Sequence, residues 1–269
     1  MKRILSRIRR NINRDLSRQI IVIVAVAATI IVNILANDLP INGQGTGEVS
    51  DRFQVFFVPA GYVFSIWGLI YLGLIAYAIY QALPAQKTNP RLRAIATPFV
   101  VTCLANIGWI FLWHYNQFGL SVVVMLVLLF ILILIYLRLE IGRQAVNPGQ
   151  RWLVNLTFSI YLGWITVATI ANITAFLNSI GWNGGGIAPE TWTVIMLVAA
   201  TLITALVLLT RRDVAYALVI VWAFAGITIR FSGVPLVATA AWATTLLVAL
   251  LAVASALRVL PNQPSPAHN

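Results

Sequence analysis

The sequence predicts an all-α membrane protein of eight transmembrane helices, and two observations carry that prediction. Eight apolar runs, at residues 20–36, 61–83, 94–113, 118–137, 152–177, 192–210, 214–229 and 234–257, fill most of the 269-residue chain, and none contains Asp, Glu, Lys or Arg. A helix needs about 20 apolar residues to cross the hydrocarbon core. Backbone groups in lipid must be satisfied within the segment, so each run reads as a helix. The second observation is the placement of charge. Of the 18 Lys and Arg residues, 16 lie before the first run, on every second connection, or after the last run, leaving only Arg52 and Arg230 on the other side. Basic residues favour the cytoplasmic side, so both termini are expected there.

Composition bounds the function. At 60% hydrophobic and 9% charged residues, the chain is neither a soluble globular domain nor a disordered one. The net charge of +11 follows from the topology and the basic tail, which suits anionic lipid headgroups; it does not indicate nucleic-acid binding. The single cysteine, Cys103, lies in the third run and leaves no intrachain disulfide or cysteine-based metal cluster.

Each element has its own signal. Residues 1–19 read as a basic cytoplasmic tail with a candidate amphipathic surface helix. The first run lacks a small-residue cleavage site after it and is expected to be a retained helix, not a signal peptide. It and the seventh run are short and need flanking Arg residues to snorkel. Residues 37–60, with Pro40, Gly43, Gly45 and Gly47, are too long for a tight turn and are expected to form a lid on the external side. The second helix carries Ala60, Phe64, Trp67 and Tyr71 on one face, the third carries Asn106, Trp109 and Trp113, and the fifth carries Tyr161, Trp164, Ala168 and Asn172. Residues 178–190 form a second external loop whose Gly184-Gly185-Gly186 lacks a P-loop signature. Helices six to eight are mostly Val, Leu, Ala and Thr, and residues 260–269 are a polar, Pro-rich tail. The expected divisions are therefore 1–19, 20–180, 181–259 and 260–269.

Three stripes of aromatic and amide groups could enclose a flat, mostly apolar ligand, because Trp and Tyr join an apolar face to one polar group. Asn106 and Asn172 are costly against lipid and should face the bundle interior. The competing reading is that these groups only pack helices together or sit in interfacial belts, as expected for Trp152, Trp182 and Trp192. His114 reads as a polar anchor at a helix end ahead of a metalloporphyrin ligand. Asp51 and Arg52 read as helix-end residues, with contact to ligand propionates or sealing of the lid as the alternatives. Arg230 reads as an external boundary. No span contains an acid, which argues against a proton-coupled pump, and no acid–base or nucleophile–base pair is present.

These residues carry a resemblance. The stretch from Pro59 to Tyr71 resembles the P-P-x-W-V-F…W-x-x-x-Y segment of the TspO/MBR family, the tryptophan-rich sensory proteins and mitochondrial translocator proteins. Asn106-Ile107-Gly108-Trp109 followed by Trp113 resembles its N-x-x-W before paired Phe, and Tyr161-Leu162-Gly163-Trp164 with Asn172 resembles its Y-L-A-W…N. The chain departs from the pattern at Ala60, where a second Pro is expected, at Tyr62, where Trp is common, and at Ile160, where Pro is usual. Trp113-His114 stand for the paired Phe, and no Tyr follows Asn172 to complete a sterol motif. The resemblance implies a five-helix bundle over residues 20–180, here with three further transmembrane helices. It implies a receptor or sensor that binds a porphyrin, another tetrapyrrole or a sterol-like lipid inside that bundle, at Phe64, Trp67, Tyr71, Asn106, Trp109, Trp113, Tyr161, Trp164, Ala168 and Asn172. No cofactor is required, no metal is held, and the partners are the lipid bilayer and a hydrophobic small molecule, with a homodimer as the candidate assembly. The residues point away from an enzyme. Two other functions stand beside the receptor: a transporter of a small apolar metabolite, and light-dependent porphyrin breakdown in which Trp67 or Trp164 donates an electron.

Overall fold

The structure, a computed structural model, describes residues 2–39 and 41–257, with side chains from Arg14 onward. Arg258, the polar tail 260–269 and the side chains of the first basic residues lie outside the described residues. The chain is an integral membrane protein of helices, with no strand among the described residues. Among the described residues, seven helices are long and apolar enough to cross a bilayer, and an eighth, Val214–Arg230, is shorter.

Helix α1 (Lys2–Asp38) is continuous from the basic segment through the first apolar run. No Pro or Gly interrupts residues 1–38, so nothing in the sequence breaks the helix where a separate tail was expected. From Arg14 on, the segment is packed against neighbours. Asp15 pairs with Arg93, the guanidinium of Arg18 donates to Lys87 O (2.9 Å), and the amides of Gln19 and Gln81 donate to each other's backbone carbonyls at 2.7 and 3.0 Å. These bonds give buried amides partners where water is scarce.

The connection after α1 contains a short helix, α2 (Thr46–Asp51). The second apolar run then opens as a 3-10 turn, Gly61–Ser65, before α3 (Ile66–Ala82). Ala60 and Phe64 therefore do not share a regular α-helical face with Trp67 and Tyr71, as the spacing alone predicts. Helices α4 (Pro90–His114) and α5 (Phe118–Arg138) follow, then a single turn α6 (Pro148–Gln150) and a π turn leading into α7 (Leu156–Ser179). Helix α1 packs on α3 and α4, α5 packs on α4 and α7, and α7 packs on α3. The five helices thus close a ring in the order α1, α3, α7, α5, α4.

The remaining helices, α8 (Pro189–Arg211), α9 (Val214–Arg230) and α10 (Pro235–Leu257), pack on one another beside the ring. Helix α9 joins them to it. At the basic end, Asp213 caps α9 by accepting from Tyr216 N (3.1 Å). Its other oxygen accepts from the Tyr136 and Ser159 hydroxyls at 2.9 and 2.6 Å, linking α5 and α7 to α9. Gly142 is required nearby: its φ is +77°, and a Cβ there would stand 1.7 Å from Arg211 O.

Candidate functional site

At the end of the ring opposite the basic connections, the segment after α1 folds across the helix ends as a lid. Its fastening is built around His114, which is fully buried at the end of α4. His114 Nδ1 donates to Ile41 O (3.2 Å), since a carbonyl only accepts, and Nε2 is hydrogen-bonded to the Thr46 hydroxyl (2.9 Å). The His114 carbonyl in turn accepts from Asn42 and Gln44 at 3.0 and 2.6 Å. Both ring nitrogens are thus engaged, in keeping with the anchor reading of this histidine. Arg52 donates to Asn116 and lies over the Phe118 ring, fastening the lid to the α4–α5 turn.

The other edge of the lid is fastened by α9. Arg230 pairs with Asp51 (2.8 Å) and donates to Pro59 O (3.3 Å), so it does more than mark a membrane boundary. Ala60 N donates to Gly226 O (3.2 Å), and Trp222 Nε1 donates to Val63 O (3.1 Å). The first of these bonds gives a physical reason for a departure noted in the sequence: Ala60 has an N–H to donate, and a proline would not. Gly226 permits the approach, because a Cβ there would lie 2.3 Å from Val63 Cγ2. Gly226→Val is expected to push Val63 and the adjoining strap off α9, at a cost of about 2 kcal/mol. Thermal unfolding in detergent measures the loss, and increased proteolysis within residues 52–60 reports the loosened strap.

Beneath the lid lies a cavity of about 50 Å³ between α3, α4, α5 and α7. Seven of the ten residues singled out in the sequence line it: Phe64 from the 3-10 turn, Trp67 from the start of α3, Trp109 and Trp113 from α4, and Trp164, Ala168 and Asn172 from α7. The indoles of Trp109 and Trp113 stack at 5.4 Å. Trp67 stands edge-on to Trp164 at 6.3 Å, and Phe64 edge-on to Trp164 at 5.7 Å. Such perpendicular pairs are favourable for rings with opposite charge at face and edge.

The polar groups sort into spent and unspent. Trp109 Nε1 donates to Asn172 Oδ1 (2.9 Å), Asn172 Nδ2 donates to Ser121 Oγ (2.9 Å), and Trp113 Nε1 donates to Thr46 O (3.2 Å). Trp164 Nε1 is different: the residue is 2% exposed and this N–H has no partner among the described residues. An unpaired donor at a buried wall costs free energy until an acceptor meets it.

Tyr71, Asn106 and Tyr161 are not part of the lining. Tyr71 stacks on Trp67 at 5.6 Å. Asn106 Oδ1 accepts from Asn33 (2.7 Å), and its amide reaches the Tyr161 hydroxyl at 3.5 Å, so these groups join α1, α4 and α7 behind the wall. The lining also includes Thr46, Ser50, Val58 and Pro59 from the lid, Met125 from α5, and Val167 and Ala171 from α7. Met125 had no distinguishing signal in a run made of Leu, Val and Ile. The α7 pair was available from the spacing, since Val167 and Ala171 lie one and two helical turns from Trp164. Among the described residues, no cluster of His, Cys, Asp and Glu could hold a metal ion.

Residues 19–254 match the family described as TSPO-like protein. No curated protein and no solved structure matches the chain.

Proposed function

The chain belongs to the TSPO-like protein family, and we propose that it is a membrane receptor that binds a flat, hydrophobic ligand of the tetrapyrrole type within its five-helix ring. The observation that carries this reading is an aromatic cavity lined by Trp164, whose buried N–H has no partner among the described residues. A porphyrin offers rings to stack on Trp67 and Trp164 and peripheral carboxylates or carbonyls to accept a hydrogen bond. At about 50 Å³ the cavity is smaller than the ~300 Å³ or more of an occupied small-molecule site. Binding therefore requires the lid to lift and the indoles to part, and the lid's fastening to both α4 and α9 sets the resistance.

The threonines of the last three crossings give a transporter reading no support. The hydroxyls of Thr201, Thr204 and Thr245 each donate to a carbonyl of their own helix at 2.7 Å, leaving no polar pathway among them.

Titration of the purified protein with protoporphyrin IX, read by tryptophan quenching, tests the proposal. Saturable quenching is expected, with Trp164→Phe weakening affinity about fivefold, equal to ~1 kcal/mol, because stacking is kept and one hydrogen bond is lost. Non-saturable quenching, identical in wild type and in Trp164→Ala, contradicts the proposal.

In the same reading both termini are cytoplasmic and the lid is external. A reporter fused after Leu177 is expected to read external, and one fused after Leu257 cytoplasmic. The same side from both excludes the eight-crossing topology.

A further inference from the structure

A second cavity lies outside the helix ring. It measures about 390 Å³ and is walled by the strap residues Phe56 and Phe57, by α7 at Ile170, Ile173 and Leu177, and by α8 at Met196. The space exists because α8 rests on α9 and α10 and makes little contact with α7. The strap is held from behind, where Phe57 packs edge-on to Phe224 at 6.4 Å and Phe56 edge-on to Phe231 at 5.1 Å. This cleft forms where the added helix α8 faces α7 and the strap, and it shares no lining residue with the ring cavity.

Its chemistry is graded along its length. No Asp, Glu, Lys or Arg lines it. The deep walls are apolar, and the hydroxyls of Thr174 and Thr193 there are spent on Ile170 O and Pro189 O at 2.8 and 3.0 Å. The rim carries Gln54, Asn178 and Asn183 beside Trp182, which with Trp192 forms an aromatic pair at 5.3 Å, as interfacial aromatics do. The side-chain amides of Gln54 and Asn178 make no hydrogen bond within the described residues, so donors and acceptors are open at the rim. From Asn178 to Ile170 the cleft descends about 12 Å along α7 at the helical rise. The volume lies at the lower end of the ~300–1,000 Å³ of small-molecule sites, which suits one chain and not two.

We propose that this cleft binds an uncharged single-chain amphiphile of the monoacylglycerol class. Its acyl chain lies between α7 and α8, and its hydroxylated head meets the amides of Gln54 and Asn178. A hydroxyl both donates and accepts, as a primary amide does. A carboxylate or ammonium head finds no counter-charge in the lining.

The test uses the full chain in phosphatidylcholine nanodiscs, a monoacylglycerol carrying a diazirine on its chain, and mapping of the labelled peptides by mass spectrometry. The expected label falls on residues 170–177 and 187–196, saturates, and is competed by unlabelled mono-oleoylglycerol. Ile173→Trp and Met196→Trp fill the cleft from opposite walls, and each is expected to lower labelling at least tenfold; two variants guard against one failing to fold. Leu202→Trp, on the exposed face of α8, is expected to change nothing. The proposal is overturned by labelling spread over exposed residues such as Leu202 and Leu206 without saturation, by labelling indifferent to both filling variants, or by an oleate diazirine that labels as strongly as the uncharged probe. None of these outcomes depends on whether the ring cavity binds a tetrapyrrole.

Discussion

Asp213→Ala is expected to lower the stability of the folded bundle by about 3 kcal/mol or more. The carboxylate is 7% exposed and accepts from Tyr136, Ser159 and the Tyr216 backbone. Its removal leaves two buried hydroxyls without their acceptor, each costing roughly 1–3 kcal/mol, and uncaps α9 at a further cost of about 1 kcal/mol. Loss of this junction also frees α9, which fastens the lid at its far end through Gly226 and Arg230. Thermal or denaturant unfolding in detergent is the measurement. Ser159→Ala, which removes one donor and leaves the acceptor its other partners, is expected to cost about 1 kcal/mol. A loss below about 1 kcal/mol for Asp213→Ala means that the junction does not hold α9 to the ring.

The crossings were legible because the bilayer imposes one rule on every residue of a span: apolar side chains and a self-satisfied backbone. The interior orientation of Trp67, Trp109 and Trp164 was legible for a related reason, since amide and indole groups at helical spacing have few stable places except a shared interior. The role of α9 was not legible. Its grip on the lid runs through the backbone of Pro59, Ala60 and Val63, and a main-chain acceptor leaves no mark in the sequence beyond the absence of a side chain at Gly226. Asp213 was equally hidden: beside Arg211 and Arg212 it looks like part of a solvated connection, and only the fold turns it inward onto Tyr136 and Ser159. Tyr71, Asn106 and Tyr161 show the opposite error of resolution. Spacing places them on interior faces, but whether an interior residue meets a cavity or another helix depends on packing distances that spacing does not carry.

The ring cavity as the binding site is tested most directly by filling it. Ala168 and Ala171 line the cavity from α7, as Trp67 and Trp109 do from α3 and α4. Ala→Leu at either position keeps a strong helix former and adds only apolar volume, so folding is expected to survive at a cost of about 1–3 kcal/mol. The added side chain takes up a space of about 50 Å³ and stands where a flat ligand would slide between the indoles. Protoporphyrin IX affinity, measured by equilibrium titration of the folded variants, is expected to fall at least tenfold in each, or ~1.4 kcal/mol, and further in the double variant. Wild-type affinity in the folded Ala168→Leu, Ala171→Leu double variant contradicts a binding site inside the ring.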